Sequence, residues 1–270
     1  MIGLTMTPVL ATTLRYAIIP VVFTIVGAAA GVYFPLLARL RSHVLHLAAG
    51  VVFAVVAVEL LPEIQRRALV WDVVWGFGLG IVTMLAVDKI LDRIRGDDDQ
   101  EVDATAPGGD DAATHPSATG LPRTARIPVS LLVAVAIDFL LDGVLVGVGF
   151  AAGARIGILL ALAEAAEQLS VGLALAGELR TAGMTRGRIL STITALGSLV
   201  FVSAVAGATV LSGLPDGAME IVLSFGAAAL LYLVTEELLR EAHEERESTS
   251  GTAMFFVGFL VFLVIGMTLG

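Results

Sequence analysis

Residues 136–143 read Ala-Ile-Asp-Phe-Leu-Leu-Asp-Gly, and residues 161–168 read Ala-Leu-Ala-Glu-Ala-Ala-Glu-Gln. Each stretch carries two acids inside a long apolar segment, four residues apart in the first and three apart in the second. On a helix, both spacings place the two acids on one face, one turn apart. These four acids are Asp138, Asp142, Glu164 and Glu167. In a bilayer, a carboxylate at the midplane costs about 2.5–3.5 kcal/mol on insertion scales, so we interpret the pairs as the walls of one cation site.

The composition is that of an integral membrane protein. The 270 residues are 57% hydrophobic and 15% charged, with a mean hydropathy of +0.92. A soluble domain is usually about 45–50% apolar and about 25% charged. The chain has no cysteine, which excludes disulfides, thiolate metal sites and cysteine nucleophiles.

Eight apolar segments are long enough to cross a hydrocarbon core, which takes about 20 residues. The first lacks the basic start of a signal peptide, so we interpret it as a helix. Short connections at residues 38–42 and 64–69 join the first three. The pattern predicts an all-α membrane protein with helices at 14–37, 43–63, 70–90, 128–152, 156–177, 189–212, 217–239 and 252–269.

One long polar stretch, residues 91–127, separates the third segment from the fourth. It holds eight acids and four arginines but too few apolar residues to build a core, which predicts an acidic, disordered loop. The chain therefore divides into helices 1 to 3 (residues 1–90), this loop, and helices 4 to 8 (residues 128–270), which carry the acid pairs.

The basic residues predict the orientation. If the N-terminus faces outside, 12 of the 16 Lys and Arg residues lie on cytoplasmic connections. This bias towards the cytoplasm places both termini outside and the acidic loop inside.

Further acids lie near the helix ends. Glu59 and Glu63 are close to the outer end of helix 2, where they either line an entrance or reach the water interface. Glu236 and Glu237 are close to the inner end of helix 7, and His243 follows them at helical spacing. With the central pairs, these residues describe a route across the membrane.

The central acids have a structural alternative. They could belong to a buried network in which Ser, Thr or backbone groups hold the carboxyls. No Lys or Arg lies within the core of any predicted span, so ion pairing at that depth is excluded and a cation or proton site is favoured. The glycines near the acid pairs are expected to bring helices 4 and 5 together: Gly143, Gly147, Gly149, Gly172 and Gly177.

The chain resembles the Zrt/Irt-like (ZIP) metal transporter family over nearly its whole length. That family has eight spans, both termini outside and a long cytoplasmic loop after span 3. Its span 4 usually carries His-Asn-x-Pro-(Glu/Asp)-Gly, and alignment on Asp142 places Asp138 at the histidine. In span 5, alignment on Glu167 places Glu164 at the family's second-metal position.

Two further segments carry the resemblance, and several positions depart from it. Thr-Glu-Glu-Leu-Leu-Arg-Glu at 235–241 resembles Ser-His-Glu-x-x-Pro-Glu, and Glu-Leu-Leu-Pro-Glu at 59–63 resembles the end of span 2. Leu141 and Ala166 stand where the family has prolines, and Gln168 replaces a glycine. The motif histidines and asparagine are absent, so the side-chain ligands are all oxygen.

The resemblance implies a ZIP-like bundle that moves a divalent cation, such as zinc, manganese or iron, towards the cytoplasm through a site between helices 4 and 5. The metal would be a substrate, zinc or manganese first; no cofactor and no enzyme activity are implied. The expected partners are the metal ions, the bilayer of a prokaryotic plasma membrane and, as one option, a second copy of the chain, but not nucleic acid. The alternatives are a proton-linked carrier with an acid relay, and a ZIP-like scaffold or sensor without transport.

Overall fold

The structure is a computed structural model that describes residues 8–34, 41–67, 69–104, 129–240 and 249–269, except for the side chains at 67, 94–104, 237 and 269. Within these ranges all regular structure is helical, which confirms the predicted all-α membrane bundle. Eight helices are long and apolar enough to span a bilayer: α1 Pro8–Tyr33, α2 Arg41–Arg66, α3 Val70–Arg93, α4 Val129–Ala152, α5 Ala154–Thr181, α6 Arg186–Leu211, α7 Asp216–Glu236 and α8 Thr249–Thr268.

Several of the predicted helix boundaries are wrong. Helix α1 begins at Pro8, six residues before the predicted start, and α2 continues as helix to Arg67, through most of a predicted connection. The helix of α3 continues to Ala104, fourteen residues past its predicted end. An established helix gains one hydrogen bond for each residue added, so it can extend into polar sequence that has no core to pack on. The remainder of the predicted disordered loop lies outside the described residues.

Helices α2 and α5 lie at the centre of the bundle. Helix α5 contacts α1, α2 and α4, and α4 also contacts α6. On the other side, α3 packs on α7 and α8 packs on α2. Helices α2 and α5 are the most buried, whereas α3 and α8 expose most of their surface to the surroundings, as helices at a lipid boundary do. The acid-bearing α4 and α5 are joined by Gly153 alone and run antiparallel, as predicted.

Most of the glycines near the acid pairs do not lie at the α4–α5 interface that the sequence predicted. A Cβ on Gly143 would lie 2.2 Å from the Val200 carbonyl oxygen, so this glycine packs on α6. A Cβ on Gly172 would lie 2.3 Å from the Thr24 carbonyl oxygen, so this one packs on α1. Gly149 alone faces the partner acid-bearing helix. At the α4–α5 contact, Gly149 lies against Leu160 and Gly157.

Two of the helices, α2 and α7, each contain a short π-helical segment. In α2, residues Val55–Leu60 are π-helical, and the Leu61 N–H donates to the carbonyl of Val56, five residues back. Pro62 follows, which lacks an N–H and clashes with a regular α-helical turn. The second π segment, Leu233–Leu238 in α7, has no proline beside it. Single π turns are frequent at functional sites, and these two carry Glu59 and Glu236.

The contact between α1 and α5 can be tested with two alanine substitutions in one helix. Gly172→Ala should destabilise the protein by about 1–3 kcal/mol, because the new methyl group forces two backbones apart. Gly177→Ala is the matched control, since nothing lies within 4 Å of its added Cβ. The measurement is the thermal unfolding midpoint of each purified variant in detergent. Equal midpoints would contradict the close contact.

Candidate functional site

Three of the four central acids lie in the interior of the bundle. Asp142 of α4 is 0% exposed, and Glu164 and Glu167 of α5 are 1% and 2% exposed. Apolar side chains surround them because α5 lies between α1, α2 and α4. Each acid is at least ten residues from either end of its helix, about 15 Å at 1.5 Å per residue. This depth puts the carboxylates out of reach of bulk water.

A chain of buried hydrogen bonds holds Asp142. The Nε2 of Gln168 donates to Asp142 Oδ2 at 2.9 Å, and both side chains are fully buried. The hydroxyl of Thr24 lies 3.0 Å from Gln168 Oε1, which fixes the orientation of the amide. Thr24 can approach because Gly172 allows the backbones of α1 and α5 to touch. Three helices are thus joined at the carboxylate.

Glu164 has a different environment. Both of its carboxylate oxygens are buried, and among the described residues they have no hydrogen-bond partner. An ionised carboxylate removed from water without compensation costs several kcal/mol. A bound cation or a proton would remove this cost. Glu164 therefore has the environment expected of a group that binds a proton or a cation.

The acids do not gather into a compact cage. Within the part of the chain that the structure describes, no three His, Cys, Asp or Glu side chains are placed so that they could hold a metal ion together. One oxygen of Asp142 accepts a hydrogen bond from the Gln168 amide. In this conformation a metal ion at the acids would need oxygen ligands besides carboxylates, from amide, hydroxyl or backbone groups or from water.

The fourth central acid, Asp138, faces a cavity. This cavity has a volume of about 380 Å³ and lies between α2, α3, α4, α5 and α7. Its lining residues all belong to the halves of these helices nearest the connection between α3 and α4. It extends from Arg41 and Arg240 near the helix ends to Leu141 at mid-helix. Asp138 therefore lies between this end of the bundle and the buried Asp142.

The cavity carries a net negative charge. Tyr232 also lines it, and its hydroxyl bonds to the side chain of Asp88. Acids outnumber basic groups by two, which favours cations over anions. Glu236, predicted to line the inner end of a route, is one of the lining acids. The charged lining residues are Asp88, Asp138, Glu178, Glu236, Arg41 and Arg240.

At the opposite end of the bundle, an ion pair joins helices that are distant in the chain. Arg155, at the start of α5, donates from Nη2 to Glu59 Oε1 at 3.0 Å and to the Gly266 carbonyl at 3.1 Å. Glu59 belongs to the π segment of α2, and Gly266 lies near the end of α8. A partly exposed pair contributes only about 0–1 kcal/mol, so its main effect is to tie three helices. Glu59, predicted at an entrance, is held by this pair.

The other predicted pathway residues have mixed outcomes. Glu63 lies 3.8 Å from the exposed Arg66 one turn further on, which fits the interfacial alternative. The side chain of Glu237 and the whole of His243 lie outside the described residues. Their roles stay predictions.

No family model matches the chain. A protein named zinc transporter GufA, from Myxococcus xanthus, is 32% identical to it over 133 residues. The aligned part is 48% of this chain and 51% of that protein, so the chain spans about half the length of the curated relative that it matches. The similarity is to a protein named as a metal transporter, and it concerns about half of each chain.

Sequence reasoning missed three polar residues near the acids. Gln168 was recognised only as a replaced glycine, and neither Thr24 nor Ser170 was considered. Two of them had a signal: Gln168 is an amide directly after Glu167, and Thr24 is the one hydroxyl in an apolar run from Ile18 to Val32. Their importance depends on neighbours from other helices, which spacing along one helix does not identify.

The hydrogen-bond chain can be tested by a double-mutant cycle. Gln168→Leu should lower the free energy of unfolding by about 1–3 kcal/mol, because Asp142 loses its donor. Thr24→Val should cost less, and the pair should show a coupling of about 0.6–1.7 kcal/mol, as measured between membrane helices. Thr24→Ser keeps the hydroxyl and is the control. Strictly additive effects of Gln168→Leu and Thr24→Val would contradict the contact.

Proposed function

We propose that this protein transports a divalent metal ion across the membrane, towards the cytoplasm, and that the acids of α4 and α5 bind the ion midway. The metal is the substrate, no covalent chemistry takes place, and no cofactor is needed. Every residue in the proposed path belongs to one chain, so the proposal does not depend on a homodimer. The relative's name, zinc transporter, supports the class of substrate.

The observation that carries this proposal is the Glu164 carboxylate, which is buried without a partner among the described residues. Ionisable groups inside a membrane bundle mark ion and proton pathways, because their cost is otherwise uncompensated. Glu167 and Asp142 lie within the same buried region of α4 and α5. A structural network would have satisfied Glu164, as Gln168 satisfies one oxygen of Asp142.

The two ends of the bundle support a direction. The cavity reaches from one end to Asp138, while the Arg155–Glu59 pair ties the other end. The excess of basic residues assigns the cavity end to the cytoplasm. We therefore propose an inward-facing conformation, both termini outside, in the plasma membrane of a prokaryote. Metal would enter where Glu59 and Glu63 lie and leave through the cavity past Glu236.

The proposed transport can be tested in proteoliposomes with zinc and manganese. Wild type should take up metal, and Glu164→Gln should reduce uptake about 10- to 100-fold, as loss of a metal-site group commonly does. Asp216→Asn is the control, because this acid is exposed at the start of α7. Proton flux without metal uptake would favour a proton-linked carrier. The absence of either flux would favour a scaffold or sensor.

The choice of metal can be tested at Asp138. Oxygen-only sites suit hard ions such as manganese, whereas imidazole suits zinc better. Asp138→His should therefore raise the zinc-to-manganese uptake ratio. Glu178→His is the matched control, since Glu178 lines the same cavity in the last turn of α5. The measurement is uptake from equal mixtures of both ions. An unchanged ratio in Asp138→His would mean that Asp138 does not bind the metal.

A further inference from the structure

Ser170 lacks the hydrogen bond that hydroxyls in these helices usually make. A helical Ser or Thr commonly donates to a carbonyl three or four residues back. Ser203, Thr209 and Thr235 do so at 2.8, 2.6 and 2.9 Å. The Ser170 hydroxyl is 1% exposed and has no partner among the described residues. A buried polar group left in this way indicates a missing ligand or water.

One other serine hydroxyl is buried without a partner in the described part of the chain, and it serves as a comparison. Ser224 of α7 is 0% exposed and lies where α3 packs on α7, 2.8 Å from the position of a Cβ on Gly76. Ser224 does not line the cavity, whereas Ser170 does. Close helix packing accounts for Ser224. Ser170 instead lines the cavity, so its unpartnered hydroxyl lies in a residue that borders open space.

Ser170 and Asp138 lie at one level of the bundle. Asp138 is nine residues after the start of α4, and Ser170 is eleven residues before the end of α5. At 1.5 Å per residue these positions are about 14 Å and about 17 Å from the same end of the bundle. Each is one turn closer to that end than a buried acid, Asp142 in α4 and Glu167 in α5. Both line the cavity.

The cavity as a whole is large enough to hold a hydrated cation. Its volume of about 380 Å³ compares with about 30 Å³ for one water in the liquid. The excess of acidic over basic lining groups favours a positive ligand. The two arginines of the lining lie near the helix ends, away from Asp138 and Ser170.

We propose that Asp138 and Ser170 form a second cation position at the inner end of the cavity, distinct from the buried acids. A divalent ion there takes a carboxylate oxygen from Asp138, the hydroxyl oxygen of Ser170 and water for its other ligands. Such an oxygen set suits hard divalent cations. This inference rests on the proposed transport function and adds an intermediate step. At this position the ion binds water ligands before it moves through the cavity towards the helix ends.

The test measures manganese(II) binding to the purified full chain by electron paramagnetic resonance, alongside manganese uptake in proteoliposomes. Ser170→Ala should weaken one class of binding site about 10-fold or more and slow uptake, because it removes an oxygen ligand without adding volume. Asp138→Asn should weaken the same class. Ser170→Thr, which keeps the hydroxyl, should restore part of the binding. Ser224→Ala is the matched control and should bind and transport as wild type does.

The outcomes separate this inference from the proposed function. Glu164→Gln should reduce uptake about 10- to 100-fold and still keep the class of manganese sites that depends on Ser170 and Asp138. If wild type transports manganese while Ser170→Ala and Ser224→Ala both match it in binding and uptake, the second position is wrong and transport stands. If wild type neither binds nor transports manganese or zinc, the proposed function is wrong and the second position falls with it. Thermal unfolding midpoints of all variants show whether each is folded.

Discussion

The need to compensate a carboxylate inside a bilayer underlies the organisation of this protein. Water cannot hydrate a charge at that depth, so each buried acid requires a hydrogen bond, a proton or a cation. Asp142 receives the amide of Gln168, which is oriented by Thr24 from another helix. Glu164 receives nothing from the described residues. The hydrogen bonds that hold Asp142 require the close α1–α5 contact at Gly172. The unpartnered carboxylate of Glu164 is the basis of the proposed ion site.

The two ends of the bundle differ in structure. At one end, acids and arginines line a cavity that reaches Asp138 at mid-helix. At the other, Arg155 joins the π segment of α2 to the end of α8 through Glu59. A carrier that exposes its site to one side at a time needs this asymmetry, since an ion path open at both ends would be a channel. One π segment lies at each of these ends. Its local change of helix geometry alters the direction of an acidic side chain, Glu59 at one end and Glu236 at the other.

The departures from the ZIP motifs acquire a physical meaning in the structure. Gln168 stands where that family has a glycine, and its amide donates a hydrogen bond to Asp142. Four ionised carboxylates carry more charge than a single divalent ion can balance. The Gln168 amide is a neutral donor that compensates part of the charge of one of them, Asp142. Asp138, at a histidine position of the motif, lines the cavity together with Ser170.

The sequence by itself determined the number of helices, their approximate bounds and the pairing of acids on α4 and α5. The length of an apolar segment and the helical spacing of its acids are local properties, so they can be read from the sequence without a structure. Tertiary structure decided that Asp138 lies in a cavity while Asp142 is sealed, that Gly143 and Gly172 face different helices, and that Glu59 is paired with Arg155. These outcomes depend on which helices pack together and how each is rotated. Rotation and packing are set by the fit of side chains from distant parts of the chain, which spacing within one helix does not encode.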